Sequence, residues 1–247
     1  HYPLRRQRQM CIRDRYYIIK QSGLVFDENM DIGYLGLISC TNIIVENLTL
    51  TNNREGLLLA NTSYSTITNC IVHNNYEGIM LFSASDNIIA NCVIYNNTDG
   101  IYWNCSSNNS MVNCSAYYNH YGIEMSYSSN SVIENCNVHT NNKGIRLEFS
   151  SNNNIANCTV HNHDEGSICV GFSSNNNQIT NCNISIYYYS FSCGISLYSS
   201  SNNNQITNCT ISNLFSYSIY LTGSSSATAI NTTFNKTKVY FYDTTST

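Results

Sequence analysis

The sequence predicts an all-β solenoid, a single chain wound into a three-sided parallel β-helix, and three observations predict it. An Asn, most often followed by Cys, recurs at Asn47, Asn69, Asn91, Asn113, Asn135, Asn157, Asn181, Asn208 and Asn231, in five steps of 22 followed by 24, 27 and 23. A second ladder, Gly56, Gly78, Gly100, Gly122, Gly144 and Gly166, keeps the step of 22 without a break. Between the ladders, apolar residues come in short alternating runs, with no persuasive helical period of about 3.6 residues. A leucine-rich repeat has a similar length, but its L-x-x-L-x-L-x-x-N frame is absent and Ile and Val hold the apolar positions.

The elements follow from one copy, "TITNCIVHNNYEGIMLFSASDN" at 66–87. Ile67 and Asn69 share one parity, Cys70 and Val72 the other. Side chains alternate along a strand, so both apolar residues can face inward only if the chain turns at Asn-Cys. Asn tolerates the left-handed conformation such a corner needs. "HNNYEG" is the second bend, and Gly78-Ile79-Met80-Leu81 opens a strand with Ile and Leu inward. "FSASDN" is the third bend, written as "SSNNN" in later copies. Three short strands and three bends make one coil. About nine coils cover 41–235, preceded by an irregular lead-in or cap at 16–40. Stacked coils bring identical residues to strand spacing, so the Asn columns read as hydrogen-bonding ladders. In "SIYYYSFSCG" an insertion lengthens one turn and exposes Tyr187, Tyr188 and Tyr189. The ending "NTTFNKTKVYFYDTTST" reads as the start of a further segment, at 236–247, of a longer chain.

Composition narrows the classes. Only 11% of the 247 residues are charged, but 42% are hydrophobic and 20 are Tyr, which is not the signature of disorder. No apolar run is long enough for a transmembrane helix. The first 15 residues, "HYPLRRQRQMCIRDR", lack the Asn/Ser/Thr bias of the rest and resemble translated adapter sequence, so they are set aside as non-native. Without their five Arg and Asp14, the 11 basic and 15 acidic residues become 6 and 14, a net charge of −8. That excludes nucleic acid as an expected partner.

Seven of the twelve Cys form one column: Cys70, Cys92, Cys114, Cys136, Cys158, Cys182 and Cys209. Column neighbours stand a strand spacing apart, wider than a disulfide's Cβ separation, and no C-x-x-C pair exists. They read as buried small hydrophobes, and so many free thiols suggest a reducing or anaerobic habitat.

Outward positions on the G-I-x-L strand form two columns, Leu58, Met80, Tyr102, Glu124, Arg146 and Ala60, Phe82, Asn104, Ser126, Glu148. Glu124 and Glu148 around Arg146 could supply carboxylates for acid/base work on an acidic sugar. The plainer reading is a surface ion-pair cluster, worth about 0–1 kcal/mol. Phe82, Tyr102 and Tyr187–Tyr189 are candidate sugar contacts. After the Cys strand, His73, Tyr95, Tyr117, His139 and His161 share a column; with His163 from "HNHDEG", His139 and His161 could hold copper or zinc if all three converged. Glu55, Glu77, Asp99, Tyr121, Lys143 and Glu165 precede each Gly and could bind calcium, although solvated turn carboxylates are the plainer reading.

"YYIIKQSGLVFDENMDIGYLGLISCTNIIVENLTLTNN" at 16–53, followed by the "SSNNNxIxNC" coils, resembles NosD-like proteins, a branch of the right-handed parallel β-helix proteins associated with carbohydrate binding and sugar hydrolysis. The resemblance implies a right-handed coil, a periplasmic or cell-surface location and, in the named type, accessory work in copper-site maturation. It carries over no catalytic motif. The expected function is therefore a non-catalytic, carbohydrate-associated scaffold that requires no cofactor. The alternatives are a lyase, hydrolase or epimerase acting on acidic glycans and a copper-handling accessory protein.

Overall fold

The computed structural model describes residues 14–186, 193–213, 217–235 and 238–242. Every regular element among them is a strand, and every pairing is parallel. The strands form three sheets of 11, 10 and 9, one per side, giving about ten turns. The front sheet holds the longer strands, such as Glu77–Phe82, Asp99–Asn104, Tyr121–Ser126 and Lys143–Glu148. It already includes Asp14–Ile19 and Ile32–Ile38, so the solenoid begins within the expected lead-in, and Lys238–Tyr242 adds its last strand.

The Asn-Cys corner is as expected. Asn69, Asn91, Asn113 and Asn135 have φ of 53°, 53°, 55° and 53°, and the following Cys and the flanking Ile67 and Val72 all face inward. Each column thiol donates to the carbonyl two residues earlier, as Cys92 does to Ala90 at 3.2 Å, and all eleven described cysteines are free. Apolar columns fill the interior, with Ile79, Ile101, Ile123 and Ile145 in one and Leu81, Trp103, Met125 and Leu147 in the next, all 0% exposed.

Two buried Asn ladders hold the other bends. In the second, Asn97 Nδ2 donates to Tyr95 O at 3.0 Å and to Asn119 Oδ1 at 3.1 Å, while Asn97 Oδ1 accepts from Asn75 N at 2.9 Å. The "SSNNN" bend carries Asn87, Asn109, Asn153, Asn177 and Asn204 in the same arrangement, with Ser131 in one rung. A buried hydroxyl column, Ser106, Ser128, Ser150, Ser174 and Ser201, accepts N–H groups from the coil before.

The Gly ladder departs from its expected register. Lys143 pairs with Gly166 and Ile145 with Ile168, so the "HNHDEG" bend holds one extra residue. Ser167, not Gly166, stacks on Gly144, where an added Cβ would lie 2.3 Å from Ser167 O. The Gly column exists because the backbone of the next coil passes over it: at Gly122 a Cβ would come within 2.7 Å of Gly144 O.

Candidate functional face of the front sheet

On the front sheet, the residue before each Gly and the residue two after it both face outward, because the strand is irregular at the Gly. Pairing runs Asp99 with Tyr121, then Ile101 with Ile123, and the Gly pair between is skipped. Three outward columns result. The first is Glu55, Glu77, Asp99, Tyr121, Lys143; the second is Leu58, Met80, Tyr102, Glu124, Arg146, Cys169, Ser196; the third is Ala60, Phe82, Asn104, Ser126, Glu148 and Gly171. Tyr198 follows the end of Cys193–Leu197 and its ring lies over Gly171, where a side chain would collide with it.

These side chains form one continuous cluster. Arg146 Nη1 donates to Glu124 Oε1 at 2.7 Å and Nη2 donates to Glu148 Oε1. Tyr198 Oη donates to the same Glu148 oxygen at 3.4 Å. The Tyr121 ring lies beneath both cations, 5.5 Å from Lys143 Nζ and 5.2 Å from Arg146 Cζ, and Lys143 Nζ pairs with Glu165 Oε2 at 3.0 Å. Asn104 Nδ2 donates to Tyr102 Oη at 3.0 Å. Glu124 is 8% exposed and Glu77 9%, low for an outer face.

Charge is not balanced along the cluster. Burial, with the charges of Glu55 and Asp99 added, pushes the Glu77 carboxyl up to about 7. Burial raises Asp99 to about 6, against the pull of Arg146. Glu124 is raised as well, by burial, although Arg146 opposes it. Three buried polar atoms here have no hydrogen-bond partner: Glu77 Oε2, Asp99 Oδ1 and Arg146 Nε. Of the acidic residues expected as solvated turn carboxylates, Glu77 is buried and Glu55 and Asp99 are half-buried, whereas Glu165 is exposed. The signal missed was the strand irregularity at Gly, which turns their column onto the sheet face. Tyr198 was also missed, because the 27-residue step hides its register.

The other candidates lie elsewhere. Phe82 is 43% exposed on the third column, beside Asn104. Tyr187, Tyr188 and Tyr189 lie outside the described residues. His139 and His161 stack with centroids 5.2 Å apart, at one end of a continuous ring column through Tyr117, Tyr95 and His73. His163 does not join them. It is 1% exposed and replaces Asn in the buried ladder, with Nε2 donating to Val138 O at 3.1 Å and Nδ1 facing Asn141 N at 3.3 Å. The three imidazoles do not converge as a copper or zinc site would require, because the ladder position of His163 points inward. Among the described residues no group of three His, Cys, Asp or Glu side chains is placed to hold a metal. No helix among them is long and apolar enough to cross a membrane.

Stacked coils and three parallel sheets define a β-solenoid. The chain belongs to the family described as right handed beta helix region, whose profile matches residues 25–141 and 99–234. No curated protein matches it. Solved structures share the fold at low identity. The Azotobacter vinelandii mannuronan C-5 epimerase AlgE6 A-module is 15% identical with a TM-score of 0.67, covering 87% of this chain and 65% of its own. The alginate lyase of Paenibacillus sp. str. FPU-7 is 14% identical with a TM-score of 0.64, covering 90% and 98%. A variant of the periplasmic alginate epimerase AlgG is 11% identical with a TM-score of 0.65, covering 93% and 76%. This chain thus spans just under two thirds of the first of these.

Proposed function

We propose that this protein is a carbohydrate-associated β-helix, extracellular or periplasmic, that holds a polysaccharide against the outer face of its front sheet. One observation carries the reading: carboxyls, a guanidinium and rings from successive coils, Asp99, Tyr102, Tyr121, Glu124 and Arg146, stand side by side on one outward face. A polyhydroxylated ligand offers donors, acceptors and apolar C–H faces together, which matches such a mixture. Asn104, Ser126 and Phe82 adjoin these residues with a mixture of apolar and hydrogen-bonding surface. The names of similar folds, mannuronan epimerase and alginate lyase, are in keeping with a glycan ligand. The NosD-like resemblance of 16–53 supports a binding scaffold rather than an enzyme.

A second reading, acid/base action on an acidic glycan, has its own observation. Glu77 and Asp99 are carboxyls poised near 7 and 6, the range a proton-transferring group needs. They suit that role better than Glu124 and Glu148, which are tied to Arg146. In this reading Arg146 and Lys143 face the sugar carboxylate.

The test is to incubate the full chain with alginate, pectate, cellulose and xylan, with and without calcium, and to measure both retention and products. Retention with no change in chain length or sugar configuration supports the scaffold. Product that disappears in Glu77→Gln or Asp99→Asn supports the enzyme. An outcome with neither retention of nor product from any of the four removes both readings.

A further inference from the structure

The bend that follows the front sheet carries an anomaly. Its first residue is left-handed in each coil described: Lys20 first, then the small residues Ser39, Asn61, Ser83 and Cys105. Three later coils place rings instead: Tyr127, Phe149 and Phe172, at φ of 53°, 50° and 53°. Bulky side chains are disfavoured in that region, and here they fall in three consecutive coils of one column. The rings are 58%, 43% and 39% exposed, so they do not fill the core. They stack on one another, Tyr127 on Phe149 at 4.7 Å and 1°, Phe149 on Phe172 at 5.4 Å and 23°.

The two ends of this stack differ. Beyond Phe172 the Tyr198 ring closes it edge-on, at 5.4 Å and 81°. Beyond Tyr127 the next rung is Cys105, whose N–H bonds Ser126 O. Cys105 is exposed and has no ring, so the outer face of Tyr127 is uncovered, as its greater exposure reflects. One ring-sized position is therefore vacant, in line with a stack whose pitch is already set. It adjoins the polar face directly, since Asn104 precedes Cys105 and Ser126 precedes Tyr127, both with side chains outward.

We propose that this vacant rung is a glycan subsite, in which one pyranose ring lays its C–H face on Tyr127, above Cys105. Its hydroxyl rim reaches the Asn104 amide and the Ser126 hydroxyl, and the rest of the chain continues onto the face of Tyr102, Glu124 and Arg146. A pyranose suits the position because it joins an apolar face to a hydroxylated edge, matching an aromatic ring flanked by an amide and a hydroxyl. The inference rests on the polysaccharide-binding reading above and specifies where one sugar residue sits.

The experiment uses the full chain, with an alginate hexasaccharide and cellohexaose as probes and calorimetry as the readout. Tyr127→Ala removes the platform and Cys105→Trp fills the rung with a ring. Each is expected to weaken the probe that binds by about tenfold, equivalent to about 1.4 kcal/mol. In the unmodified chain, the same probe should slow alkylation of Cys105 by a maleimide, followed by peptide mass mapping. Unchanged affinity in both variants, with binding lost in Arg146→Ala, would overturn the subsite and leave the face reading intact. Absence of binding by either probe to the unmodified chain would overturn both.

Discussion

His163 shows how one residue can occupy a structural column and change its chemistry. It takes the place of Asn in the buried ladder, and burial pushes its imidazole down to about 4 from 6.5. The unfolded chain then binds more protons than the folded one between pH 6.5 and 4, so stability is lost as pH falls through that window. The shift corresponds to roughly 3 kcal/mol. His163→Asn restores the ladder residue and should abolish this loss, which urea unfolding at pH 7 and pH 4 would measure. Glu77 has the opposite sign. Its carboxyl is raised to about 7 from 4.5, so the folded chain holds the extra proton and stability falls as pH rises from 4.5 to 7. Glu77→Gln should flatten that fall; an unaltered pH dependence would refute the assigned burial. Neither behaviour could be read from the letters alone. "HNHDEG" does not reveal which His faces inward, and the Glu before Gly looks like any turn carboxylate.

At the scale of the coil, stability resides in repeated rungs. Asn97→Ala removes donors to Tyr95 O and Asn119 Oδ1 and the acceptor of Asn75 N. Because those partners stay buried, the expected loss is about 3 kcal/mol, larger than one typical hydrogen bond contributes. Gly122→Ala drives a Cβ to 2.7 Å from Gly144 O and 2.8 Å from Asn141 Nδ2, and overpacking of this kind costs about 1–3 kcal/mol. Gly166→Ala meets no backbone within 3.4 Å, only the Cys169 thiol at 2.9 Å, and should cost less. Thermal unfolding of the two variants would show whether the register step lies where the pairing puts it. The Asn-Cys corners and the Asn columns were legible in the sequence because a residue at a fixed step must meet its own copy. The single extra residue at Glu165–Gly166 was not, because Gly166 preserves the numerical spacing while slipping out of the spatial column.

Across the whole molecule, continuous stacking protects the interior from one end of the solenoid to the other. The seven column thiols are at most 2% exposed, whereas Cys105 is exposed at a bend. Native-state alkylation with peptide mapping should therefore modify Cys105 quickly and the column thiols only on global unfolding. Rapid labelling of Cys114 or Cys136 in the native state would contradict the continuous core. The same stacking builds the proposed binding face: no single coil contains it, and Glu77, Tyr102, Glu124, Arg146 and Tyr198 come from five turns brought side by side.

What the sequence determined by itself was the solenoid: the step of 22, the parity switch at Asn-Cys and the apolar alternation allow few other windings. It also placed Glu124, Arg146 and Glu148 on one outward strip, because strand periodicity and a constant repeat suffice for that. Only the tertiary structure decided which polar groups lose water. Burial of Glu77, the inward turn of His163, the Tyr198 ring over Gly171 and the vacant rung beside Tyr127 each depend on what the neighbouring coils carry. Residues that stand five ångströms apart in space are twenty-two or more apart in the chain, and desolvation depends on the spatial distance.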